Sequence, residues 1–336
     1  MSDGLAHLRR EKAAGFEPCL PENDFIISRD HSPPGLENET YWFSFDVPER
    51  CLTGSVYFWV HTQLRTLSCF VLIWQGEKRY YHEAERLNYH QFLPYPEVTD
   101  DSVFAPEIGV KIRVIEPHAR HEITYADPDS GTRLHLHTRA LMPAVKAVGR
   151  PHLDQVMHVT GELVLDGEKI AIDSYSVRDR SWRGKRPEQA PKFPPITFAS
   201  GMSLDGKTAF NFCGADDPAR GAPWAGMYDI GGDQLLLEGW IYRNGALKKI
   251  VRMSKVTEYE RSDFLRALSW EAELEDDTGH KYLLRARRQA AIPFAPWSNM
   301  FMDWQQLSFE LDGAAGYCMS NDMLWNEHAR RMPLVK

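Results

Sequence analysis

Apolar and polar positions alternate with a period of two along most of this chain, and the 3.6-residue periodicity of helices is scarce. Runs rich in Val, Ile, Phe, Tyr and Trp occupy residues 40–47 (TYWFSFDV), 54–63 and 67–75. Such runs suit strands, because branched and aromatic side chains pack well on a pleated surface. Further strands are predicted over 110–115, 119–126 and 132–141, and the segment 83–92 fits either a short helix or a loop. Residues 160–177 read as a hairpin turning at Asp166-Gly167, a pair that tolerates the two positive φ angles of a type I′ turn. These runs amount to about eight to ten strands, enough for one antiparallel barrel.

Residues 187–195 (PEQAPKFPP) hold four prolines, which disfavours a paired strand and predicts a stiff linker. The expected domain boundary lies here, with one barrel over 1–187 and a second over 188–336. Strands are predicted again over 196–204, 208–214, 225–230, 235–243, 246–259, 267–275, 281–288, 305–311 and 314–319. Asp205-Gly206 and Asn244-Gly245 serve as hairpin turns. A short charged helix is expected over 4–14, a turn at Pro33-Pro34-Gly35, and a C-terminal helix over 321–331 capped by Ser320 or Asn321. No β-α-β alternation occurs, so the predicted class is all-β: two antiparallel barrels in tandem with short terminal helices.

Composition narrows the function classes. The chain has 336 residues, natural for two cores, and 43% hydrophobic residues. Its net charge of −8 argues against nucleic-acid binding. Five scattered cysteines without a C-x-x-C pair fit a reduced, cytoplasmic protein, and the first residues lack the apolar core of a signal peptide. No run approaches the roughly twenty apolar residues of a membrane helix. An aromatic share of 12% suits a barrel interior that takes an apolar ligand, and equally an ordinary β-core. A homo-oligomer is compatible with all of this.

The second strand of the 160–177 hairpin runs into Arg178-Asp179-Arg180-Ser181-Trp182-Arg183-Gly184-Lys185-Arg186, with five basic residues, one carboxylate and one indole. If buried, such a cluster must be paired, so Asp179 is expected to meet an arginine. The hairpin pattern G-x-L-x-x-D-G followed by R-D-R-S-W-x-G-x-R resembles the signature of the AttH-like and carotenoid-hydratase-like (hydroxyneurosporene synthase) family. The resemblance implies two tandem lipocalin-like β-barrels with this motif between them. It also implies a cofactor-independent enzyme acting on a hydrophobic, isoprenoid-like or polycyclic small molecule, adding water to a C=C bond or removing it. A cofactor-free cyclase and a non-catalytic lipophile carrier are the alternatives. Two departures stand out: Arg183 separates Trp182 from Gly184, and Arg180 stands where the carotenoid hydratases have a histidine. An arginine does not exchange protons near neutral pH.

Asp179 and Trp182 could supply a proton donor and an aromatic face for a carbocation, with Arg180 and Arg186 binding substrate. They could equally form a structural lock. Tyr228 and Asp229 in GMYDIGG match weakly the tyrosine and aspartate that the resemblance implies; in their own right they read as a core aromatic and the start of a turn. Asp303 is the only carboxylate in the aromatic stretch 297–304 (WSNMFMDW), a setting that raises a carboxyl pKa, although a turn cap fits it too; Trp304 is a substrate contact in the same stretch. His135-Leu136-His137 puts two imidazoles on one strand face, with His118 and His121 nearby in sequence, a weak metal pattern set against ordinary hydrogen-bonded histidines. No metal is expected. The chain has no P-loop, no G-x-G-x-x-G, no G-x-S-x-G and no H-E-x-x-H, so nucleotide chemistry and nucleophile-elbow hydrolysis are unsupported.

Overall fold

In the computed structural model the described residues are 15–25, 38–184, 193–260 and 263–331. The expected helix over 4–14, the Pro33-Pro34-Gly35 turn, Arg186 and most of the proline-rich segment lie outside them. Among the described residues twenty-one strands follow one another, the first thirteen being β1 (Phe16–Glu17), β2 (Asn38–Val47), β3 (Leu52–His61), β4 (Thr66–Gln75), β5 (Arg86–Pro94), β6 (Glu97–Val98), β7 (Ser102–Ala105), β8 (Val110–Glu116), β9 (Arg120–Ala126), β10 (Arg133–Ala140), β11 (Val145–Ala147), β12 (His152–Leu165) and β13 (Glu168–Gly184). Then come β14 (Ile196–Ser203), β15 (Thr208–Gly214), β16 (Leu236–Arg243), β17 (Ala246–Glu260), β18 (Asp263–Asp276), β19 (Lys281–Pro293), β20 (Met300–Leu311), β21 (Ala314–Trp325) and a short helix α1 (Asn326–Arg331).

The chain forms two compact units. One comprises Phe16–Gln75 and His82–Arg186; the other comprises Gly76–Tyr81 and Pro187–Lys336. In the first, thirteen strands make one antiparallel sheet in the order β5-β4-β3-β2-β13-β12-β10-β9-β8-β7-β6, with β1 and β11 attached at the side. The sheet curls without closing its hydrogen bonds. One apolar cluster joins Val71 and Ile73 of β4 to Val110 and Ile112 of β8, strands far apart along the sheet. The outer strands keep one face wet: β8 (VKIRVIE) and β10 (RLHLHTRA) alternate buried and exposed residues.

In the second unit β14 to β21 close into an eight-stranded barrel of consecutive antiparallel neighbours. Its apolar filling includes Phe210, Phe212, Trp270, Leu307 and Phe309. The hairpin turns form as their residues demand, with φ of 50° and 84° at Asp166 and Gly167, and 50° and 85° at Asn244 and Gly245. A third such pair, Asp312 and Gly313, joins β20 to β21.

Several local expectations need correction. Residues 225–230 are turns and not a strand. The ambiguous 83–92 segment is a 3₁₀ turn, Tyr81–Glu83, followed by strand β5. The expected C-terminal helix keeps only Asn326–Arg331, because residues 321–325 continue β21 in register with β20. Asp303 lies within a strand and caps no turn. The five cysteines are free thiols. Thiol titration of denatured, unreduced protein is expected to count all five, and a lower count would reveal bridging.

Candidate functional site

Strand alternation fixes which side chains enter the barrel. On β20 Leu307, Phe309 and Leu311 belong to the apolar core, so Asp303 and Gln305, four and two residues before Leu307, continue the inward row. On β21 Cys318 is in the core, and Ser320 and Asp322 extend its row. Register places Asp303 opposite Asp322 and Gln305 opposite Ser320. Two carboxylates therefore face one another across adjacent strands inside an apolar barrel.

Like charges in that position repel. Gln305 Nε2 relieves the repulsion by donating to both, at 2.8 Å to Asp303 Oδ2 and 3.0 Å to Asp322 Oδ2. Thr197 Oγ1 donates to the other oxygen of Asp322 at 2.6 Å. Burial pushes the Asp303 carboxyl up to about 7; the Arg266 guanidinium opposes this and the Asp322 charge adds to it. Burial also raises Asp322, against the pull of Lys255. Near neutral pH the pair thus retains a proton, which is the state required of a general acid.

Beside the pair lies a saturated set of groups. Asp216 accepts from Lys255 Nζ, from Thr257 Oγ1 at 2.7 Å and from Tyr259 Oη at 2.8 Å. Burial raises the Tyr259 hydroxyl well above its usual range, with the Asp216 charge adding to the effect. Further round the unit Arg288 holds Glu77 through two bonds of 2.8 Å and Glu260 at 2.7 Å.

In the other unit the buried carboxylates Asp24 and Glu39 are each ion-paired to an arginine. Asp24 Oδ1 accepts from Arg178 at 2.7 Å, and its Oδ2 lies 3.3 Å from both His118 Nδ1 and His121 Nε2. Burial alone would raise Asp24, but Arg178 and the His121 hydrogen bond outweigh it and hold the carboxyl far below its usual range. Burial and Arg178 push His121 down to about 4. Arg180 is fully buried, ion-paired to Glu39, donates to Phe25 O at 2.8 Å, and stacks on the Tyr41 ring at 4.3 Å and the Trp182 ring at 5.6 Å. A cavity of about 190 Å³ next to these groups is lined by Asp24, Phe25, Tyr41, Val103 and Ile112.

The residues singled out from the sequence are therefore scattered. Asp179 is half-buried and pairs in register with Asp154; its carboxylate clusters with the His152 imidazole and the Asp154 carboxylate, the donor atoms all within 4.8 Å. Arg178 and Arg180 reach instead to Asp24 and Glu39. Trp182 is buried against Arg180. Tyr228 Oη meets His328 Nδ1 at 2.6 Å, its ring stacked on the imidazole, whereas Asp229 is exposed. Trp304 alternates with Asp303, points away from the barrel interior and donates to Phe294 O at 3.3 Å. His135 and His137 share the exposed face of β10, where Glu122 of β9 completes a trio of donor atoms that could hold a metal ion; His118 and His121 turn to Asp24.

Sequence reasoning missed Arg266, Gln305, Asp322, Asp216 and Lys255. Asp322 carried a usable signal, an acid two residues from an apolar position in a β-rich run, but a helix reading of 321–331 hid its face.

A closed antiparallel barrel and a second curled antiparallel sheet in one chain define the tandem lipocalin-like fold. The chain belongs to the family of the domain of unknown function DUF7064, whose model matches residues 27–329. No curated protein matches the sequence significantly. Among solved structures, a protein assigned as AttH from Nitrosomonas europaea superposes with a TM-score of 0.58 at 12% identity, over 91% of this chain and 98% of its own. Kievitone hydratase from Nectria haematococca superposes with a TM-score of 0.53 at 12% identity, over 90% and 93%. The double-lipocalin resemblance carried by the hairpin and R-D-R-S-W motif thus holds at the level of fold.

Proposed function

We propose that this protein is a hydratase or dehydratase that adds water to, or removes it from, a C=C bond of a hydrophobic small molecule, and that the chemistry takes place on the Asp303–Asp322 pair. The supporting observation is a fully buried carboxyl, raised to about 7, held opposite a second carboxyl inside an aromatic barrel. In the hydration direction the Asp303 O–H gives its proton to one alkene carbon, and aromatic faces such as Trp270 and Phe212 steady the developing cation. Water oxygen bonds to the other carbon and its proton passes to Asp322. The pair ends with the single proton it began with, now on the other carboxyl. No cofactor enters this scheme. Kievitone hydratase, which shares the fold, is a hydratase by name and lends the reading support. The same acid would start a cyclisation if an internal double bond met the cation in place of water.

The test is incubation of the full chain with lipophilic alkenes in H₂¹⁸O, followed by mass spectrometry. A product heavier by one labelled water is expected. Comparing Asp303→Asn with Asp179→Asn locates the chemistry. If turnover falls by about a hundredfold in Asp179→Asn and persists in Asp303→Asn, the site belongs at the His152–Asp154–Asp179 cluster and the barrel reading fails.

A further inference from the structure

Arg266 stands apart from the other buried arginines. Arg178, Arg180 and Arg288 each meet a carboxylate through hydrogen bonds. The Arg266 side chain is only 3% exposed, yet Nε, Nη1 and Nη2 find no acceptor among the described residues. Its nearest carboxylate oxygen, Asp303 Oδ1, lies 3.7 Å from Nε, too far for a hydrogen bond, and that oxygen also lacks a donor. A guanidinium presents five N–H groups in a planar fork, and leaving them unmet in a barrel interior costs several kcal/mol. Two more unmet polar atoms, Gln305 Oε1 and Ser320 Oγ, belong to the same inward rows. Native interiors rarely leave such a group unserved, and each case asks for an explanation.

We infer that Arg266 anchors the carboxylate of a lipophilic monocarboxylic acid bound in the C-terminal barrel. The inference deepens the hydratase reading and rests on it for the role of the ligand as substrate. Three observations select this chemistry. The fork matches a planar carboxylate through two parallel hydrogen bonds. The core of the same barrel, including Phe210, Phe212, Trp270 and Phe309, is apolar, the chemistry that a hydrocarbon body calls for. Asp303 and Asp322 stand too close for a doubly charged phosphate, whereas one negative charge is balanced by Arg266 alone. With its guanidinium engaged by the ligand, Arg266 no longer favours the ionised form of Asp303, so the acid needed for proton transfer keeps its proton when substrate is present.

The experiment is a fluorescence titration of the full chain with 11-(dansylamino)undecanoic acid and with its methyl ester at pH 7. The wild type is expected to bind the acid about tenfold to a hundredfold more tightly than the ester, the scale of hydrogen bonds to a charged group. Arg266→Met should remove that preference while leaving ester affinity within about threefold, and Arg266→Lys should restore part of it. Removing an uncompensated buried charge should not impair folding, and a melting curve checks this. Were Arg266→Met to misfold, the acid-to-ester ratio of the wild type would still decide the matter. Equal affinity for acid and ester, no binding of either, or an unchanged preference in folded Arg266→Met overturns the inference. Tight, Arg266-dependent binding of the acid without water addition to any unsaturated acid would keep the anchor and sink the hydratase reading. Hydration of neutral alkenes with no preference for acids would do the reverse.

Discussion

Asp303→Asn is expected to lower turnover by about a hundredfold or more, the usual contribution of a general acid, while making the protein more stable in alkaline solution. Asparagine can still accept from Gln305 through its carbonyl, so the barrel should keep its shape. It cannot donate an acidic proton. The stability gain follows from linkage. The Asp303 carboxyl ionises near 3.8 when unfolded and near 7 when folded, so between these values the folded state holds a proton that the unfolded state has released. Wild-type stability from this group therefore falls as pH rises from about 4 to about 7, and stays low above. The Asn variant lacks that slope. Its melting temperature should match the wild type near pH 4 and exceed it at pH 8, at about 2–4 °C per kcal/mol for a protein of this size. Wild-type turnover in the hydration direction should fall as pH rises through 7. Parallel melting profiles for the two proteins would show that Asp303 is ionised in the native state and remove it as the acid.

Asp24→Ala should destabilise the curled-sheet unit by about 3–5 kcal/mol, because it strands the buried Arg178 charge. A urea midpoint shift reads this directly. The double variant Asp24→Leu with Arg178→Met should recover most of the loss, since an apolar pair of similar volume can replace a buried ion pair; a double variant as weak as the single one would mean that the pair shapes the segment by other contacts. The acid response of this cluster is opposite to that of the barrel pair. The folded pKa of Asp24 is depressed, so its contribution is present above about 4 and is lost as pH falls below. His121 titrates near 4 when folded and 6.5 when free, so its contribution is lost as pH falls from 6.5 towards 4. Mild acid should therefore weaken the curled sheet while it relieves the strain of the Asp303–Asp322 pair.

How far the sequence foretold this depended on range. Asp166-Gly167 and Asn244-Gly245 could be read because a type I′ turn is decided by two adjacent residues. Strand β17 was legible from its own alternation. The end of β21 was not: Ser320, Asn321 and Asp322 carry helix-cap chemistry, and pairing with residues 303–305 on one side and 197–199 on the other holds them extended. Asp303 could be picked out as a lone acid among aromatics. Its partners could not: Asp322 reaches it through the β20–β21 register, hidden by a helix reading of 321–331, and Arg266 comes from β18, which no local pattern places beside β20. Asp24 sits in Pro-Glu-Asn-Asp, a stretch that signals a turn, whereas its partner Arg178 is 154 residues away. The open edges of the first sheet, β5 and β6, likewise depend on how the whole sheet curls.

The barrel unit includes a hexapeptide, Gly76–Tyr81, from far upstream in the chain. Glu77 bridges to Ala291, Gly76 O and Lys78 N bond the Ala291 backbone, and the Glu77 carboxylate holds Arg288. During synthesis this splint leaves the ribosome long before β19 exists to receive it. The barrel unit is therefore expected to complete its wall only when this upstream stretch docks on β19. A fragment expressed from residue 188 onward would bring Arg288 to the wall with Glu260 alone to neutralise it, and supplying the missing stretch in trans becomes a way to reconstitute the molecule from two pieces.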